Sequence, residues 1–175
     1  MEEVILVDIE DSAIGQMEKM KAHEEGRLHR AFSIMIFNDR GDILLQQRAL
    51  GKYHSGGLWT NACCSHPRPN ESVLEAANRR LMEEMGFETK LVFGFKFVYK
   101  ALLDQGLTEY ELDHVYMGNY TGQLKINPDE VAGWKWISYP ALKRDVVENP
   151  NNYTIWFKDI LNNRQLDHVF NRIAH

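Results

Sequence analysis

Three histidines and two glutamates in this 175-residue chain, His23, His29, His66, Glu109 and Glu111, are residue types that hold a divalent cation. Glu109 and Glu111 are two apart, so a strand would present both carboxylates on one face. Such a donor set suits a six-coordinate ion such as Mn²⁺ or Mg²⁺, and Zn²⁺ also accepts it. Any one of these histidines alone is more often a surface or hydrogen-bonded side chain; the reading rests on the set. Only five residues separate His23 from His29, so the chain must turn tightly if both are to reach one ion. Cys63 and Cys64 are the only cysteines, and adjacent thiols make a poor disulfide framework. In an extended segment they point to opposite faces, which leaves one as a small buried hydrophobe and the other free for chemistry. Which is which depends on register. Arg80 and Glu84, four apart, share one flank of a helical repeat, where a cation and a carboxylate could meet a phosphate; a solvated helix face gives the same pattern.

Several elements must position these groups. Residues 4–8 read as a short strand, followed by a polar, Gly-containing stretch and an apolar segment over 31–38. The Asn-Asp-Arg-Gly-Asp turn signal and residues 43–47 beyond it predict a hairpin. Residues 51–57 form a Gly-rich polar loop before a short strand in Trp-Thr-Asn-Ala-Cys-Cys. Two prolines then stop the sheet, with Asn70 as the N-cap of the clearest helix in the chain. Leu74, Ala77, Leu81 and Met85 recur at its spacing, Glu71 falls in its first turn, and Gly86 ends it. β-rich stretches follow over 91–99, 110–120 and 134–137, then a helix near Tyr139 and a last amphipathic helix after Pro150. No repeat or linker interrupts this order. It predicts an α/β fold, a mixed sheet carrying helices, in one domain spanning 1–175.

An apolar fraction of 44% with 26% charged residues is ordinary for a soluble protein, and no apolar run is long enough to cross a bilayer. The acidic start, Met-Glu-Glu-Val-Ile, lacks the basic region of a secretion signal, so a cytoplasmic chain with free thiols is expected. A net charge of −5 argues against nucleic acid as partner, and no membrane partner is expected. A small phosphorylated ligand remains compatible with local clusters of base.

Around the main helix, Glu71 is followed after seven residues by Arg79, Arg80, Leu81, Met82, Glu83, Glu84, Met85, Gly86 and Phe87. This resembles the Nudix box, whose glutamates hold divalent cations against a diphosphate. Ser65 stands where that box has its leading Gly, and Arg80 where it has the first Glu of its metal cluster. Exchanging Glu for Arg removes a hard oxygen ligand and supplies a fixed cation that holds phosphate directly, which does not favour hydrolysis. Four further pieces resemble type I isopentenyl-diphosphate isomerases. They are Lys19 and His23 with Leu28 to Phe32, then Gln47 to Leu50, Trp59 to Pro67, and Glu109 to Glu111.

The resemblance implies a Nudix-type α/β/α sandwich and the interconversion of isopentenyl and dimethylallyl diphosphate, by protonation at C4 and proton loss from C2 through a tertiary carbocation. It implies His23, His29, His66, Glu109 and Glu111 as metal ligands, with Glu84 near a second Mg²⁺ that bridges the substrate phosphates. Cys64, two residues before His66, matches the catalytic cysteine and pairs with Glu111 as acid and base, with Tyr99 assisting near Glu111. Trp156 matches the tryptophan whose indole face stabilises the cation. Lys19, Arg48, Lys52 and Arg80 match the diphosphate-binding positions. His54, His114, His168 and His175 match no motif position and are expected to be structural. The polar stretch holding Lys19 and His23 is expected to fold over the diphosphate when substrate binds. Two rivals are a Nudix hydrolase of nucleoside diphosphate derivatives, which Ser65 and Arg80 disfavour, and an inactive binding module, which would need no acid and base. A flavin-dependent isomerase would need a fingerprint absent from the sequence. The resting metal and the oligomeric state stay open.

Overall fold

The computed structural model describes residues 1–173. Its organising strand is β3 (His29–Phe37), a nearly continuous buried run of nine residues. Such a run belongs in the middle of a sheet covered on both sides. β3 lies parallel to β8 (Thr108–Asn119) from the pair His29 and Glu111 to the pair Phe37 and Asn119. On its other edge it pairs antiparallel with β6 (Cys63–Ser65). β7 (Val92–Leu102) continues the sheet beyond β8, while β4 (Ile43–Arg48) carries β5 (Trp59–Thr60) and β9 (Val131–Ile137). β1 (Glu3–Val7) and β2 (Ala13–Glu18) form an antiparallel pair that touches β3 at Leu6 and His29.

Alternation along β3 divides the core. Phe32, Ile34 and Ile36 face α2 (Val73–Met85) with Ala77, Leu81 and Met85, while Met35 and Phe37 face α4 (Ile155–Asn162) and α5 (Arg164–Ile173) with Phe157, Ile160 and Leu166. Two further helices complete the chain, α1 (Lys19–Glu25) before β3 and α3 (Tyr139–Glu148) after β9. Helices thus cover both faces of a mixed sheet, the α/β architecture expected from the sequence. No helix among the described residues is long and apolar enough to cross a membrane.

Four local expectations need correction. The strands flanking the Asn38 turn share only the pair Phe37 and Ile43, because β3 finds its long partner in β8 and β4 finds its own in β9. The N-cap of α2 is Ser72, not Asn70: Ser72 accepts from Glu75 N–H and Glu75 bonds back, a reciprocal capping box, whereas Asn70 sits in the preceding turn at φ 67°. Glu71 therefore precedes the helix, where it accepts from Arg79 Nε at 2.7 Å and Arg68 N–H at 2.8 Å. The polar stretch after β1 already holds β2 and α1, because Glu18 caps α1 through the N–H groups of Met20 and Lys21 and backbone pairing needs no apolar signal. The segment after Pro150 forms two helices rather than one, broken at Asn163.

Candidate active site

Strand register builds the centre of the site. Tyr99 on β7 lies beside Glu111 on β8, which lies beside His29 on β3, so three polar side chains form one row on the face covered by α4. His66 enters from the end of β6 and His23 from α1, whose left-handed Gly26 (φ 63°) turns the chain in the short span to His29. Donor atoms of His23, His29, His66 and Glu111 lie within 4.8 Å of one another, all buried. The Nδ1 of His23 donates to Lys19 O at 2.7 Å and that of His29 to Arg27 O at 2.8 Å. Each Nε2 is thereby left bare toward the centre, as in a metal-binding histidine whose other nitrogen donates to a carbonyl. The His23 and His29 Nε2 atoms and Glu109 Oε2 are buried with no hydrogen-bond partner. Such orphaned donors fit a divalent cation. Glu109 stands somewhat apart from the other four, grouped instead with His23 and His54.

The carboxylates are electrically unequal. Burial pushes both upward, and the charge of Glu111 raises Glu109 further. Glu111 instead lies well below the usual carboxylate range: burial opposes this, but the His29 and His66 imidazoles beside it overcome it. His66 Nε2 is 2.9 Å and His29 Nε2 3.3 Å from Glu111 Oε1, and Tyr99 donates to Oε2 at 2.6 Å.

Cys64 comes from β6, on the edge of β3 opposite to β8, so it and Glu111 reach the same pocket from two sides of the central strand. Its thiol donates to Asn61 Oδ1 at 2.9 Å and accepts from Trp156 Nε1–H at 3.0 Å. Ser33 Oγ, which donates to buried Asp113 at 2.7 Å, lies 3.6 Å from the sulfur. Burial and the nearby Asp113 push the Cys64 thiol up to about 12, so it rests protonated. Cys63 points the other way into the α2 core as a buried hydrophobe.

A charged cleft adjoins this pocket. Lys19, Arg48, Lys52, Arg80 and Glu84 all line it, together with Arg68, Arg79, Glu2 and Glu130. Lys19 is paired with Glu2 at 2.7 Å, Lys52 with Glu130, and Arg80 with Glu84 at 2.6 Å and Glu130 at 3.3 Å. Gln46 donates to the other oxygen of Glu84 at 2.8 Å. Arg48 donates to His54 O at 3.0 Å and sits 5.2 Å above the Trp156 ring.

Sequence reasoning missed Tyr53, His54, Ser33, Asn61 and Asp113. His54, expected to be structural, is buried within the pocket beside Trp156, and a loop residue without periodicity gives no signal of that. His114, with ring nitrogens 3.1 Å from Ala31 O and 2.8 Å from Asp11, and exposed His168 stand outside the pocket; His175 lies outside the described residues.

The sequence model of the NUDIX domain matches residues 27–157. An isopentenyl-diphosphate Delta-isomerase of Burkholderia multivorans is 48% identical over 174 residues, covering 99% of this chain and 98% of its own. The chain belongs to the isopentenyl-diphosphate Delta-isomerase family. An isopentenyl-diphosphate Delta-isomerase 2 of Aromatoleum aromaticum is 51% identical over 89% of this chain and 82% of its own. Among solved structures, a Deinococcus radiodurans protein aligns over 99% of this chain and 100% of its own with a TM-score of 0.75 at 17% identity. The MutT protein of Methanosarcina mazei covers 83% of this chain and 94% of its own at a TM-score of 0.64 and 18% identity. These two likenesses, with the NUDIX domain match, establish the Nudix fold.

Proposed function

We propose that this chain interconverts isopentenyl diphosphate and dimethylallyl diphosphate, acting as one unit over its whole length. The observation that carries this reading is the approach of Cys64 and Glu111 to one pocket from strands on opposite edges of β3. The reaction needs a proton delivered to C4, a tertiary cation at C3, and a proton removed from C2. One proton enters and one leaves, so two groups on different sides of the substrate suffice. Cys64 and Glu111 exchange these roles between the forward and reverse directions. Tyr99, bonded to Glu111 at 2.6 Å, steadies the carboxylate and can relay its proton.

Trp156 offers the forming cation electron density without a nucleophile that could trap it. Lys19, Arg48, Lys52 and Arg80 hold the diphosphate in the adjoining cleft, which fixes the alkene between acid and base. A divalent ion, Mn²⁺, Mg²⁺ or Zn²⁺, held by His23, His29, His66, Glu109 and Glu111 would set the basicity of Glu111, and Glu84 would meet Mg²⁺ carried on the diphosphate. Arg80 disfavours hydrolysis by occupying with a cation a flank that a metal-activated water would need.

The test is to incubate the purified protein with isopentenyl diphosphate and Mg²⁺, with and without EDTA, and follow dimethylallyl diphosphate by NMR. Metal-dependent product that disappears in Cys64→Ala is the expected result. Inert substrate together with phosphate release from nucleoside diphosphate derivatives would establish a hydrolase instead.

A further inference from the structure

The loop between β4 and β5 delivers His54 to the site, and no motif accounts for it. The side chain is buried, with 2% of its surface exposed. Its Nδ1 lies 3.0 Å from Ser55 Oγ, and its Nε2 is buried without any partner. A histidine kept inside a protein with a bare nitrogen loses about 1–3 kcal/mol unless something takes that nitrogen. Two other orphaned atoms stand nearby. Donor atoms of His23, His54 and Glu109 lie within 4.8 Å of one another, and His23 Nε2 and Glu109 Oε2 share the same lack of a partner.

The donors thus fall into two groups, His23 with His29, His66 and Glu111, and His23 with His54 and Glu109. His23 belongs to both, yet its Nδ1 is engaged by Lys19 O, so only Nε2 is free. A single ring nitrogen serves a single ion. A cation on His23 Nε2 that also takes Glu109 draws on the second group, whose third member is His54. Bonds of about 2.1 Å put the donors of one ion within about 4.2 Å of each other, against separations of up to 4.8 Å within each group.

From this geometry we propose that His54 is a sixth protein donor to the cation, completing a set of four imidazoles and two carboxylates. The proposal rests on the metal reading given above and adds a ligand to it. A four-imidazole set favours borderline ions over Mg²⁺, which prefers oxygen. It also ties the metal to the substrate cleft. His54 is two residues from Lys52, and Arg48 donates to its carbonyl at 3.0 Å, so a cation on His54 would fix the loop that presents both diphosphate-binding side chains.

The experiment is pulsed electron paramagnetic resonance of the full-length protein loaded with Mn²⁺ and labelled with ¹⁵N-histidine, counting coupled nitrogens, alongside competition for Mn²⁺ with a chelator. Four coupled nitrogens in the parent, falling to three in both His54→Ala and His54→Gln, with Mn²⁺ affinity lowered about tenfold or more, is the expected result. Gln keeps the volume and polarity of the site, so the count can be read even if the Ala variant folds poorly. Three nitrogens in the parent, with affinity unchanged in the variants, would overturn the sixth ligand and leave the five-ligand centre standing. If the parent binds no Mn²⁺ at all, the metal reading fails and His54 falls with it.

Discussion

Replacing Trp156 by Phe separates the two tasks assigned to this side chain from its packing. The indole donates Nε1–H to Cys64 Sγ at 3.0 Å, a bond that strengthens when the sulfur gives up its proton. Hydrogen bonds to charged groups contribute about 1.5–3 kcal/mol, and Phe removes this one completely. The aromatic face remains, but a phenyl ring attracts a cation less than an indole does, a loss of about 0.5–1 kcal/mol in a desolvated pocket. Together these raise the barrier by about 2–4 kcal/mol, which lowers kcat about 30- to 900-fold. Because Trp156 is not among the groups lining the diphosphate cleft, KM should stay within about threefold. The side chain is also 2% exposed and sits in the α4 core, so the smaller ring costs about 1 kcal/mol of stability. The assay is initial-rate formation of dimethylallyl diphosphate by NMR over a range of substrate concentrations, with the urea midpoint measured in parallel. A kcat within threefold of the parent, or a loss carried by KM alone, would refute the argument that this indole acts on sulfur and cation.

Arg80→Gln should raise KM for isopentenyl diphosphate about tenfold while changing kcat less, since a cleft cation is lost and Glu84 loses the partner held at 2.6 Å; steady-state kinetics with saturating Mg²⁺ read this. Burial and then the charge of His66 hold His23 down to about 4, against 6.5 when unfolded. Between those values the folded state binds fewer protons than the unfolded state, so metal-free protein loses stability as pH falls from about 6.5 toward about 4, by up to about 3 kcal/mol. A urea midpoint that stays flat from pH 7 to about pH 4.5 would contradict this. Gly86→Ala places Cβ 2.3 Å from Lys125 O at φ 75° and should cost about 2–4 kcal/mol, whereas Gly41→Ala at φ 78°, with nothing within 4 Å, should cost about 1; thermal unfolding of the two variants separates steric clash from backbone strain.

The elements whose signal is local were legible in the sequence. The spacing of Leu81 and Met85 located α2, and the two-residue spacing of Glu109 and Glu111 did put both inside one buried strand. The division of labour between Cys63 and Cys64 followed from strand alternation once β6 paired with β3. What stayed hidden depends on pairing at a distance. The parallel partnership of β3 and β8 joins segments about eighty positions apart, and the hairpin suggested by the Asn38 turn gives way to it. Asp113 and Ser33 are ordinary strand residues until that register sets them beside the thiol. His54 lies in a loop with no repeat, and only the folded path of residues 49–58 brings it to His23. The capping residue was misjudged because Asn70 and Ser72 both suit an N-cap, and only the backbone dihedrals choose between them.

Three of the cleft's cations are already paired in this structure. Lys19 holds Glu2, while Lys52 and Arg80 converge on Glu130. On the function proposed above, these carboxylates are resident counter-ions that an arriving diphosphate would displace and a departing one restore. Binding is then an exchange of one set of ion pairs for another, not a net creation of them, and its free energy is smaller than the number of contacts suggests. For an enzyme whose substrate and product carry the same diphosphate, that moderation matters for turnover. A grip strong enough to saturate at low concentration would hold the product equally well, and Glu2 and Glu130 give the cleft a way to let go.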